Sequence, residues 1–166
     1  PAGGNATVIY EAALNEYAPL GIEAAVTNTA TVSGTGITPV TAAETVNAEA
    51  APNLAITKSV SPVPVTENGT LTYTFRIQNY GSVAATNTTG VVITDTFAPV
   101  LNNLTAALNG TAWTAATDYT YNEATGTFSS TAGAITVPAA TYTQDSTTGA
   151  WVVTPGESTL VITGTV

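Results

Sequence analysis

Cysteine, histidine and methionine are absent from this chain, and Lys58 and Arg76 are the only two basic residues among its 166. Without Cys and His there are no disulfides, no thiol nucleophile, no imidazole base and none of the commonest transition-metal ligands. No metal or cofactor is therefore expected. Two cations cannot form the basic patch that phosphate backbones require, so nucleic acid is not an expected partner. No apolar run approaches the roughly 18 residues of a membrane-spanning helix, and no signal-peptide pattern opens the chain. Beginning at Pro1, it reads as a processed or excised piece whose targeting segment lies outside it.

Hydrophobic residues make up 44% of the sequence, enough for a real core, while 8% are charged and the net charge is −9. Solubility must then come from Thr, Asn and Ser with a few carboxylates. Such a composition suits a cell-surface protein that resists proteolysis and oxidation.

Apolar residues alternate with Thr, Ser or Asn in short runs bounded by Gly, Pro and Asn, which predicts an all-β protein, an Ig-like antiparallel β-sandwich with extra hairpins. The expected strands are Ala6–Leu14, Ala24–Gly34, Pro39–Ala50, Asn53–Val60, Thr70–Asn79, Gly90–Phe97 and Ser158–Val166. Shorter ones fall in LTAALNG, DYTYNE, TGTFSS, AGAITVPAATYTQD and GAWVVT. Turns are expected at Glu67–Thr70, Asn122–Gly126 and Asp145–Gly149.

Joined end to start, TLVITGTV and PAGGNATVIYEAAL read as a hairpin cut at its turn. Residues 1–51 would then be closing strands, donated to a neighbouring unit, and residues 52–166 the main body of the sandwich. The chain becomes one period of a head-to-tail array, joined by continuing polypeptide or by strands donated between subunits. The alternative is that residues 1–51 fold back to close their own domain.

The stretch NLAITKSVSPVPVTENGTLTYTFRIQNYGSVAATNTTGVVITDTF, with VTNTATVSG at Val26–Gly34, resembles the Ig-like repeat of bacterial and archaeal surface proteins catalogued as domain of unknown function number eleven. In that family the NTATV strand closes the domain, whereas here it precedes ITKSV. This departure agrees with a boundary cut between two repeats. Ala106–Val153 fits less clearly, so extra hairpins are expected there. The resemblance implies an extracellular structural role.

Lys58 shares its strand phase with Leu54 and Ile56, and so points inward. A lone buried ammonium costs several kcal/mol, on the order of 3–5 when a partner is missing, so a partner is needed. The same alternation turns Asp95 inward with Val91, Ile93 and Phe97, and Asn28 inward with Val26, Ala30 and Val32. Lys, Asp and Asn on three apolar faces are the parts of a self-directed isopeptide reaction: Lys58 as nucleophile, Asn28 as electrophile and Asp95 as catalytic acid. An apolar site favours the neutral amine and the protonated carboxyl that this reaction needs. The arrangement is similar to isopeptide-forming Cna B-type domains of pilins and adhesins. Two other readings stand beside it: a Lys58–Asp95 ion pair with Asn28 as hydrogen-bond partner, and a lysine that reaches water at the sheet edge.

Arg76 shares its phase with Thr72 and Thr74 and is expected outside, against solvent or a surface carboxylate. Asn5, Asn68, Asn87, Asn103 and Asn109 begin Asn-x-Ser/Thr triplets, which arise easily in a chain so rich in Asn and Thr. Asp118, Glu123 and Asp145 near turns invite a calcium reading but lack its spacing, and read better as turn formers.

Two functions follow. The leading one is a non-enzymatic subunit or repeat of an extracellular filament, with copies of itself as partners, joined by strand complementation and an isopeptide bond. The alternative is an adhesin-type module binding glycan or matrix ligands through Trp113, Tyr119, Tyr121, Tyr142 and Trp151, residues whose commoner use is core packing.

Overall fold

The central strand TLTYTFRIQN alternates without a fault: Leu71, Tyr73, Phe75, Ile77 and Asn79 are buried, and the residues between them face outward. It organises an all-β antiparallel sandwich, as predicted, seen in a computed structural model that describes residues 3–13, 25–47 and 50–166. The strands are β1 (Ala25–Gly34), β2 (Ile37–Asn47), β3 (Leu54–Ser61), β4 (Thr70–Asn79), β5 (Thr94–Thr96) and β6 (Asn102–Leu108). They continue with β7 (Thr111–Ala112), β8 (Tyr119–Asn122), β9 (Thr127–Ser130), β10 (Thr141–Gln144), β11 (Trp151–Thr154) and β12 (Gly156–Thr165). One turn of 3-10 helix, Asn87–Thr89, is the sole helical element among the described residues.

One sheet runs β3-β4-β12-β6-β7 and the other β5-β9-β8, with β1-β2 and β10-β11 as separate hairpins. Leu71, Tyr73, Phe75 and Ile77 of β4 and Leu160 and Ile162 of β12 pack against Ile93, Phe97, Tyr119 and Phe128 from the opposite side. Ring centroids of Tyr73 and Phe97 lie 4.7 Å apart, and those of Tyr119 and Phe128 5.4 Å. The first contact crosses between the layers and the second lies within the β5-β9-β8 sheet; both add to the burial of large side chains, which contributes about 1.5–3 kcal/mol each.

Several expected elements are shorter than the alternation suggests. Residues 4–13 form no regular structure, although Ala6–Leu14 reads as a strand; a strand needs a ladder, and none of the described residues pairs with it. Within Gly90–Phe97 only Thr94–Thr96 pairs as a strand, the stretch before it being held by single bonds such as Ser130 N–H to the Ile93 carbonyl at 2.9 Å. Pro138, which has no N–H to give, interrupts the AGAITVPAATYTQD run: Val137 exchanges bonds with Ala85, and β10 begins at Thr141. The Glu67–Thr70 turn closes with Gly69 N–H on the Thr66 carbonyl, inside a longer connection from β3 to β4. The turns at Asn122–Gly126 and Asp145–Gly149 join β8 to β9 and β10 to β11 as expected. Leu14, Ala24 and residues 48–49, at the ends of predicted strands, lie outside the described residues.

Asn79 is fully buried and holds the rim of this body together. Its Oδ1 accepts from the Asn53 and Gly81 N–H groups, each at 2.9 Å, and its Nδ2 donates to the carbonyls of Val83 at 2.8 Å and Pro138 at 3.0 Å. At Gly81 a Cβ would meet the Ala51 carbonyl oxygen at 2.1 Å, so no larger residue fits beside the hub.

Candidate isopeptide site

β3 is an edge strand among the described residues, paired with β4 on one side and with no described strand on the other. Its register places Ile56 opposite Ile77, Lys58 opposite Phe75 and Val60 opposite Tyr73, all β4 partners being buried. Lys58 thus shares the inward phase, as the alternation predicts. The same face of β3 is left open, with Leu54 37%, Ile56 53% and Val60 38% exposed. Facing it, Val91, Val92 and Ile93 complete the wall of an apolar groove of about 170 Å³ that also touches Leu54, Ile56 and Ile77.

Asp95 stands on β5 opposite Phe128, which is fully buried, so it too points between the layers. Lys58 Nζ donates to Asp95 Oδ2, an ion pair that bridges the two sheets beside the groove. The ammonium also lies 4.8 Å from the Tyr73 ring centroid, 5.3 Å from Phe97 and 5.5 Å from Phe75, an aromatic cradle of the kind that attracts cations. Asp95 Oδ1 accepts from the Thr96 N–H at 2.8 Å, so both carboxyl oxygens are engaged.

The lysine is less enclosed than its phase alone suggests. Its side chain is 40% exposed and that of Asp95 18%, and no described strand covers this side of the sandwich. In this open state the pair is worth at most about 1 kcal/mol.

Asn28, the third predicted member, is not brought to the pair. It lies on β1, which among the described residues ladders with β2 alone, and its Nδ2 donates to the Tyr10 hydroxyl. Val26, Asn28, Ala30 and Val32 face the same way as their partners Val46, Glu44, Ala42 and Val40. This apolar face is uncovered: Val32, Val40 and Val46 are 64%, 65% and 70% exposed. Tyr10 was not anticipated as a neighbour of Asn28, since no pattern within one strand links residues 18 apart.

The remaining polar groups serve local structure. Arg76 faces outward as expected, its Nε donating to Glu157 Oε2 at 3.1 Å; this partner holds the Glu157 carboxyl below the usual carboxylate range. Asp145 Oδ1 accepts from the Thr148 and Thr147 N–H groups, which lower its pKa, and Asp118 Oδ2 accepts from the Thr114 N–H at 2.8 Å. Each carboxylate shapes its own turn. Asn109 is similarly occupied, its Oδ1 accepting from the Thr159 N–H at 2.8 Å.

The aromatic residues near β8 are spent on packing. Tyr119 is 4% exposed, burial raises its pKa, and its hydroxyl donates to the Leu104 carbonyl at 3.3 Å. The Tyr121 hydroxyl donates to the Leu101 carbonyl and accepts from the Leu101 N–H, both at 2.9 Å, and Trp113 packs on the core. A hollow of about 630 Å³ beside them is lined by residues including Leu104, Asn122 and Glu123. No described helix is long and apolar enough to cross a membrane. No protein-family model, curated protein or solved structure matches the chain.

Proposed function

We propose that this chain is a structural repeat of an extracellular cell-surface fibre, in which β1 of a neighbouring unit fills the open side of each sandwich and Asn28 is joined to Lys58. The reading rests on an open-sided body together with a hairpin strand of matching pattern whose apolar face is exposed. The groove face of β3 presents Leu54, Ile56, Lys58 and Val60; the face of β1 presents Val26, Asn28, Ala30 and Val32. Each carries three apolar residues and one polar residue at two-residue spacing. β1 spans ten residues and β3 eight, so one strand can ladder the other along its whole length. An unpaired edge with an exposed apolar face is the arrangement that accepts an added strand.

Docking also supplies the chemistry. Covering Lys58 removes its water and makes the charged pair costly, which favours transfer of one proton from Nζ to the Asp95 carboxylate. The neutral amine then attacks Asn28 Cγ while the Asp95 O–H donates to Oδ1, stabilising the developing oxyanion. A bond forms between Nζ and Cγ, the Cγ–Nδ2 bond breaks, and Nδ2 leaves as ammonia with a proton taken from the amine. The product is a neutral amide, and no charge of the lysine remains to be buried. This is a single self-directed event and not enzymatic turnover. A fibre so linked loads covalent bonds before its sheet ladders.

Assembly is tested by adding a labelled peptide of residues 25–34 to the full chain. The expected result is saturable binding that is lost when Ile56 is replaced by Asp. Absence of binding to the unaltered chain would overturn strand completion.

A further inference from the structure

We infer that Tyr10 is a positioning residue of the isopeptide site, delivered with Asn28 by the donating unit; this rests on the function proposed above. Residues 4–13 have no ladder of their own, yet Val8, Ile9 and Tyr10 are 86%, 87% and 65% exposed. Three large apolar side chains in a row, held in water, belong to a segment that is completed elsewhere. Extended, the segment would turn Val8, Tyr10 and Ala12 to one face, so Tyr10 accompanies the apolar residues as Asn28 does on β1. The contact that already joins the two segments is polar: Asn28 Nδ2 donates to the Tyr10 hydroxyl oxygen.

That bond holds the carboxamide in one presentation. A primary amide is planar, with oxygen and nitrogen on opposite sides of Cγ, and aminolysis requires each in a particular place. The oxygen must meet the proton on Asp95, and the nitrogen must leave from the other side. With Nδ2 tied to Tyr10, Oδ1 is turned away from the phenol and left free for the acid. The flipped amide would set its NH₂ group against the Asp95 O–H and lose the hydrogen bond that stabilises the oxyanion. Tyr10 neither forms nor breaks a bond in the step. In the orientation seen, it anchors the nitrogen end of the amide and leaves Oδ1 free to meet the acid.

Glu44 is the other polar neighbour of Asn28, opposite it on β2. A carboxylate also accepts from an amide NH₂, but no bond joins the two side chains, whereas the phenol is in contact.

Tyr10→Phe in the full chain separates docking from chemistry, because the ring remains and only the hydroxyl is lost. Binding of one copy to another is measured by sedimentation, and covalent joining by mass under denaturing conditions at saturating concentration. Docking should stay within about twofold of the unaltered chain while the joining rate falls about tenfold, the loss of one orienting hydrogen bond. Glu11→Gln, on the opposite face, should change neither. If the unaltered chain joins and Tyr10→Phe joins equally fast, the role of Tyr10 falls and the isopeptide reading survives. If Tyr10→Phe loses docking in proportion, Tyr10 is a packing anchor and the inference is overturned. If the unaltered chain never joins, the isopeptide reading fails and takes this role with it.

Discussion

Lys58 and Asp95 come from opposite sheets and meet on the open side of the sandwich, where the lysine side chain remains 40% exposed. The pair sits at a seam beside the exposed side chains of Leu54, Ile56 and Val60. In the proposed fibre, one added strand would cover the apolar face and desolvate the pair.

Stability of the separate chain should therefore be insensitive to the groove. Ile56→Thr replaces a side chain that is 53% exposed by another β-branched one and should shift the unfolding free energy by less than about 1 kcal/mol. Binding of the β1 peptide should weaken at least about tenfold, as apolar burial is lost in the complex. Chemical denaturation and peptide titration on the same sample separate the two effects.

The opposite holds for the core. Phe128→Ala removes a fully buried ring that contacts Tyr119 and Phe97, and should cost about 3–5 kcal/mol in denaturant unfolding.

Asn79→Ala should cost about 3 kcal/mol with no large cavity. The change strands the N–H groups of Asn53 and Gly81, which now donate to Oδ1, and the carbonyls that receive Nδ2. Hydrogen exchange at Gly81 should accelerate more than exchange in β12.

How far the sequence showed all this depends on whether a pattern is local. Period-two alternation turned Lys58 and Asp95 inward and Arg76 outward, and the structure agrees at each position. The same rule could not show that Lys58 stays open to water, because exposure depends on whether a covering strand is present. It also could not find Asn79, whose role comes from loop backbone brought to it at Val83 and Pro138, or Tyr10, whose contact joins segments with no shared ladder. Ala6–Leu14 reads as a strand because alternation reports how a segment is able to pair, and residues 4–13 find no strand to ladder with among the described residues.

Acid should act locally at Glu157. Its pKa is lowered in the folded chain, chiefly by the Arg76 hydrogen bond, so its contribution to stability is present above the ordinary carboxylate range and is lost as pH falls through the lowered value. Arg76→Ala should raise the Glu157 midpoint toward that of a free glutamate in a carboxyl NMR titration. An unchanged midpoint would assign the shift to another cause.

The central claim is the bond between Lys58 of one unit and Asn28 of another. Equal amounts of heavy-isotope and ordinary chain are mixed, incubated, denatured and digested, and the peptides containing Lys58 and Asn28 are sequenced by tandem mass spectrometry. Fused peptides lighter by about 17 Da, the mass of ammonia, are expected, with mixed heavy and light pairs present, and none from Asp95→Ala. Recovery of both peptides separate and unmodified from assembled material would contradict it.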